Sequence, residues 1–83
     1  MAEIIIYTTK LCPYCVRAKH LLDKKEVSYT EIRIDEHPEK ADEMTAKSQR
    51  RSVPQIFINQ SHIGGCDDLY ALERDGTLDK LLS

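Results

Sequence analysis

Tryptophan is absent from this 83-residue chain, and its other aromatic side chains are four tyrosines and one phenylalanine. Rings so few and scattered do not make the stacking platform that holds single-stranded nucleic acid. An excess of charge of one sign is lacking too. Fourteen acidic residues against 12 basic ones leave a net charge of −2, so neither nucleic acid nor an anionic membrane is expected as a partner. No apolar run approaches the roughly 20 residues that span a bilayer. The opening MAEIIIYTT has no basic leader or small-residue cleavage site, and reads as a strand rather than a signal peptide. Cysteine is sparse and odd in number, at three. A secreted miniprotein stapled by disulfides would carry an even and denser set, so the expected compartment is the cytoplasm, where thiols stay reduced. Linkers, repeats and low-complexity segments are missing as well. Residues 1–83 are therefore expected to form one small domain.

What is present is a series of short patterned segments. EIIIYTT (Glu3–Thr9) is β-branched and apolar, as a buried strand is. Pro13–Lys25 changes to helical period, with Pro13 suited to the first helical position. Val27–Asp35 reads as a strand, and His37–Gln49 as a helix with acids in its first turn and bases at its end. SVPQIFIN is a strand entered through Val53–Pro54. Asn59–Ser61 turns the chain into HIGG, a brief antiparallel strand. Asp67 or Asp68 opens the last helical region, Gly76 breaks it, and Thr77 caps a final turn or two. The order β-α-β-α-β-β-α combines a parallel βαβ unit with an antiparallel hairpin. The economical solution is an α/β thioredoxin-like fold, a four-stranded mixed sheet flanked by three or more helices.

The chemistry concentrates in LCPYC. With Cys12 at the N-cap and Pro13 at N1, the sulfur of Cys12 faces the unpaired N–H groups of Tyr14 and Cys15. The helix dipole adds about half a positive charge there. Both favour thiolate, and cysteines so placed have pKa values of about 3.5–7.5. Cys15 lies on the same helical face, roughly 5–6 Å away between Cβ atoms. Small shifts bring the pair to the disulfide spacing of about 3.5–4.5 Å. Cys12 can then attack a disulfide, and the less exposed Cys15 can release the product. Two other uses of the pair stand beside this favoured redox reading. One is a zinc site of Cys12, Cys15, His62 and Cys66, the only credible set of four donors; the other is a structural disulfide stapling four residues. His20, His37 and His62 show no nucleophile–base pattern and are expected on the surface.

Taken together, CPYC, SVPQIFIN and IGGCDDLYAL resemble the dithiol glutaredoxins, particularly the short bacterial class, over essentially the whole chain. Thioredoxins proper are a poorer match, since they typically carry a tryptophan before a CGPC pair. The resemblance implies a glutathione-dependent oxidoreductase and electron carrier that reduces glutathione mixed disulfides and protein disulfides. Glutathione is its reducing co-substrate, with no bound cofactor or metal. Cys12 and Cys15 are the implied catalytic residues. The implied glutathione contacts are Lys10, Tyr14, Val53, Pro54, Gly65, Cys66, Asp67 and Asp68. Pro54 is implied to be cis, with the Val53 backbone pairing to the glutathione peptide as an added strand does. The helix start at Cys66–Asp68 presents N–H groups to the γ-glutamyl carboxylate, and an Asp there accepts from its ammonium. Gln55, Lys47, Arg50 and Arg51 are candidates for the glycine carboxylate. Thr9 stands where the family usually has a basic residue, and Lys10 follows it. A monomer is expected, acting on disulfide or glutathionylated proteins. The alternatives are a redoxin reduced by thioredoxin reductase and an iron–sulfur cluster carrier.

Overall fold

The computed structural model describes residues 2–83. Its elements are β1 (Ile4–Thr8), α1 (Pro13–Lys24), β2 (Thr30–Arg33), α2 (Pro38–Ser48), β3 (Gln55–Ile58), β4 (Ser61–Gly64), α3 (Cys66–Asp75) and α4 (Thr77–Leu82). The strands lie in the order β2-β1-β3-β4, with β1 and β2 parallel and the other two pairs antiparallel. This is the expected thioredoxin-like mixed sheet, with four helices.

Alternation along the strands divides the core, because successive side chains point to opposite faces. Ile4, Ile6, Ile56 and Ile58 face Ala18, Leu21 and Leu22 of α1, Leu69 of α3 and Leu78 of α4. On the other face Tyr7 and Phe57 pack on Met44 of α2, with ring centroids of Tyr7 and Phe57 5.8 Å apart. Three helices thus cover one face and α2 the other.

Several boundaries depart from the sequence reading. β2 begins at Thr30 rather than Val27, because its partner β1 is only five residues long and Ile5 already lies opposite Thr30. The residues before it turn out of the ladder at Glu26, where φ is 58°. His37 and Gln49 are the caps of α2, not part of it, and Gln49 closes it in the left-handed region at φ 60°. Asn59 and Gln60, both at positive φ (51° and 70°), form the hairpin turn alone, and Ser61 already lies opposite Ile58. Paired left-handed residues match the twist of a tight hairpin. The last helical region opens at Cys66 with Gly65 as its N-cap, ahead of Asp67 and Asp68. Thr77 is not a cap: Gly76 takes that position at φ 83°, and the Thr77 N–H donates to Asp75 Oδ1 at 2.8 Å.

A hydrogen bond pins α2 to the sheet. The buried Tyr7 hydroxyl donates to Glu43 Oε2 at 2.7 Å. Burial first, and then the Glu43 carboxylate, push the Tyr7 hydroxyl up to about 12. Glu43 moves the opposite way, held down chiefly by the Tyr7 hydroxyl and then by Lys40. Tyr7 therefore contributes stability that is complete below its unfolded value of 10.0 and is lost as pH rises through about 12. The Glu43 share is complete above its ordinary 4.5 and is lost as pH falls through its lowered folded value. Tyr7→Phe is expected to cost about 0.5–1.5 kcal/mol at neutral pH and to flatten the decline at both extremes. Urea unfolding across pH checks this; an unchanged profile would contradict it.

Candidate active site

The loop Thr9–Leu11 leaves β1 at the edge where α1 begins, and delivers Cys12 to the N-cap of that helix. Cys12 is extended (φ −138°, ψ 98°) and Pro13 occupies N1, where its missing N–H costs nothing. The Cys15 N–H donates to Cys12 Sγ at 3.1 Å, and the Val16 N–H to the Cys12 carbonyl at 3.1 Å. Cys12 and Cys15 form a disulfide, with Cα atoms 5.2 Å apart. The helix runs from Pro13 with the bond closed. Cys12 is 9% exposed and Cys15 1%, so an incoming sulfur reaches Cys12 first. Neither neighbouring cation contacts Cys12. The Arg17 guanidinium lies over the Tyr70 ring at 5.4 Å, and Lys10 is exposed, its N–H held by Asp35 Oδ2 at 3.1 Å. Once the pair is reduced, the helix start, rather than a side-chain cation, is the group placed to stabilise negative charge on this sulfur.

Beside Cys12 runs a groove of about 210 Å³ lined by Tyr14, Arg50, Ser52–Gln55 and Gly65–Asp68. The structure thus brings Tyr14, Val53, Pro54, Gly65, Cys66, Asp67 and Asp68 together next to the dithiol. Lys10 does not line this groove. The Val53–Pro54 peptide is cis, and the Val53 carbonyl lies 3.8 Å from Cys12 Sγ. Opposite it, α3 starts with three N–H groups, those of Cys66, Asp67 and Asp68, ahead of the first helical bond from Leu69 N–H to the Gly65 carbonyl at 3.0 Å. Such a helix start attracts anions.

The two aspartates divide their work. Asp68 Oδ2 accepts from the Gly65 N–H at 2.9 Å and from Arg50 Nη1 at 3.1 Å. The Gly65 N–H first, and then Arg50, hold its carboxyl below the usual range. Asp68 is therefore a cap, whereas Asp67 is exposed on the groove. Cys66 is buried, and burial pushes its thiol up, the opposite of activation.

The other candidate cations separate. Lys47 lines a different cavity with Tyr7, Phe57 and His62, and Arg51 lines a third against α2; of the three, only Arg50 lines the groove. Gln55 is buried and its amide is engaged internally. His62 is not a surface residue. It is half-buried beside Phe57, ring centroids 5.1 Å apart, with Nε2 2.7 Å from Gln55 Oε1. Burial, and then Arg50, lower its pKa and favour the neutral ring. The signal that places it inside is its register position: opposite Phe57, it shares that residue's face of the sheet. Among the described residues, no three His, Cys, Asp or Glu side chains converge as a metal site does.

Comparison with known proteins gives a consistent result. The glutaredoxin family model matches residues 4–63. The chain is 57% identical over 82 residues to glutaredoxin 3 of Escherichia coli, covering 99% of each chain. It is 54% identical over 83 residues to a glutaredoxin of Pseudomonas aeruginosa, covering 100% of this chain and 99% of that one. Among solved structures, the Brucella melitensis glutaredoxin superposes with a TM-score of 0.86 at 54% identity, covering 99% of this chain and 89% of that one. A buckwheat glutaredoxin–glutathione complex superposes with a TM-score of 0.90 at 31% identity, covering 98% and 76%.

Proposed function

The chain belongs to the glutaredoxin family and is a thiol–disulfide oxidoreductase, and from that premise we propose that glutathione, seated in the groove beside Cys12, is its reductant. The observation that carries this reading is the juxtaposition of a closed Cys12–Cys15 pair with a helix start and an open backbone edge at Val53. The γ-glutamyl carboxylate meets the N–H groups at the start of α3, and its ammonium meets Asp67, which is exposed on the groove. The Val53 backbone pairs with the peptide, and Tyr14 flanks it.

The Cys12 thiolate attacks the glutathione sulfur of a glutathionylated protein. A Cys12–glutathione disulfide forms and the protein thiolate leaves, taking a proton from solvent. A second glutathione thiolate attacks the bound glutathione sulfur, releasing glutathione disulfide and the Cys12 thiolate. With a protein disulfide as substrate, Cys12 forms a mixed disulfide with one protein sulfur and Cys15 attacks Cys12. The reduced protein leaves, and the Cys12–Cys15 disulfide remains. Two glutathiones restore the dithiol and depart as glutathione disulfide.

Residues 1–83 act as one glutaredoxin domain and as a monomer. No helix among the described residues is long and apolar enough to cross a membrane, and the cytoplasm, with its reducing glutathione pool, suits the chemistry. Reduction of a glutathionylated peptide is expected to rise with glutathione concentration when coupled to glutathione reductase. Reduction by thioredoxin reductase without any response to glutathione would overturn the proposal.

A further inference from the structure

Beneath the groove lies a relay of side chains that the sulfur chemistry does not itself use. The amide of buried Gln55 donates from Nε2 to the Ser52 carbonyl at 3.0 Å and to Ser52 Oγ at 3.3 Å. Its Oε1 lies 2.7 Å from His62 Nε2, and because Oε1 can only accept, the ring donates to it as the Nε2–H tautomer. The Ser52 carbonyl and the Val53 N–H belong to one planar trans peptide, so they project from opposite edges. Drawing the carbonyl inward onto Gln55 turns the Val53 N–H outward, and that N–H makes no hydrogen bond among the described residues. An amide has two orientations of nearly equal shape. If Gln55 turned over, Oε1 would face the Ser52 carbonyl, acceptor against acceptor, and the peptide would lose its anchor. The Ser52 carbonyl, which can only accept, sets the amide orientation, and His62 as the Nε2–H tautomer fixes it with a second hydrogen bond.

We propose that His62 is a positioning residue for glutathione: through the Gln55 amide it holds the Ser52–Val53 peptide with its N–H facing the ligand. The inference rests on the glutathione reading above and adds a residue to it. His62 lines a different cavity from the groove, so its effect on the ligand runs through the Val53 peptide and is selective for ligands that carry a peptide.

A Cys15→Ser background isolates the first exchange, in which the Cys12 thiol and glutathione disulfide give the Cys12–glutathione disulfide and one glutathione. The same equilibrium with hydroxyethyl disulfide gives a mercaptoethanol adduct, which has no peptide to meet Val53. Mass spectrometry of Cys12 reads both. With His62 present the glutathione adduct is expected to be favoured. His62→Ala is expected to lower that preference about three- to tenfold, the effect of about one hydrogen bond. His62→Gln, which keeps a donor, is expected to restore most of it. Gln55→Met should lower the preference as much as His62→Ala, and the double variant no further, because the two act as one unit. An unchanged preference in both single variants overturns the proposal, as does equal weakening of both adducts. No preference in the chain that retains His62 overturns the glutathione reading itself, and the positioning role with it.

Discussion

Cys12→Ser is expected to lower turnover on glutathionylated substrates about 10³-fold or more, while Cys15→Ser retains most of that activity and loses most reduction of protein disulfides. The asymmetry follows from where the two sulfurs sit. Cys12 terminates a loop at the N-cap and is the more exposed of the two, at 9%, whereas Cys15 is 1% exposed inside the first turn. A serine hydroxyl at position 12 would receive the same Cys15 N–H at the same helix start, yet it does not ionise near neutral pH. No base stands ready to activate it, since His20 and His37 are exposed and His62 is held by Gln55. A glutathionylated substrate needs only one protein sulfur per cycle, because the second thiol arrives as glutathione. A protein disulfide needs an internal thiol to cleave the intermediate before the partner drifts away, and only Cys15 supplies it. Coupled assays on both substrate classes check the pair. Substantial turnover in Cys12→Ser, or equal loss of both activities in Cys15→Ser, would contradict the assignment. The ultraviolet absorbance of the Cys12 thiolate, with Cys15 and Cys66 replaced, is expected to titrate between about 3.5 and 7.5. A midpoint near the unperturbed value of about 8.5 would remove the electrostatic basis of the attack.

Gly64→Ala is expected to lose about 2–4 kcal/mol of stability, the size typical of a strained backbone combined with a steric conflict. For a domain of this length that is a fall in Tm of roughly 10–30 °C. Gly64 sits at φ 123°, a region closed to residues with a Cβ, and a Cβ there would lie 2.6 Å from Asp68 Cγ and overlap the carboxylate. The carboxylate cannot simply swing away, because it caps the Gly65 N–H and is held by Arg50. The residue next door makes the control. Gly65 has φ −96°, and an added Cβ meets only the Pro54 carbonyl at 3.4 Å, so Gly65→Ala is expected to cost less than about 1 kcal/mol. Combining Gly64→Ala with Asp68→Ala removes the overlap with the carboxylate but leaves the residue-68 Cβ 2.9 Å away and the backbone strain, so the double variant should cost less than the two single costs added. Urea unfolding of Gly64→Ala, Gly65→Ala, Asp68→Ala and the double variant tests the account; strictly additive costs would show that Asp68 is not the obstacle.

Legibility of the fold followed the range of the interactions involved. Pro13 and Cys12 announced a helix start because capping is decided within four residues, and the structure places both where that logic puts them. The hairpin and its sheet were readable from strand patterns, but the length of β2 was not, because β1 limits how much of it can pair. Thr77 looked like a cap by residue type, yet Gly76 supplies the left-handed turn between α3 and α4 and so takes the position itself. Tyr14, Val53, Pro54 and Gly65–Asp68, which the family resemblance implies as glutathione contacts, line one groove. What that resemblance does not convey is which of two similar side chains is already occupied.

By itself the sequence determined the Cys12–Cys15 pair, its place at a helix start and the α/β frame, since these depend on neighbours three or four residues apart and on strand alternation. Only the tertiary structure decided which groups around the pair are already hydrogen-bonded and which cavity each one lines. It spends the Asp68 carboxylate on Gly65 and Arg50, leaves Asp67 exposed on the groove, turns Lys47 and Arg51 to other cavities and draws His62 inward onto Gln55. The physical reason is that a charge or a hydrogen-bonding group is committed by whichever partner packing brings within about 3 Å. For Arg50 and Asp68 that partner lies 18 residues away along the chain.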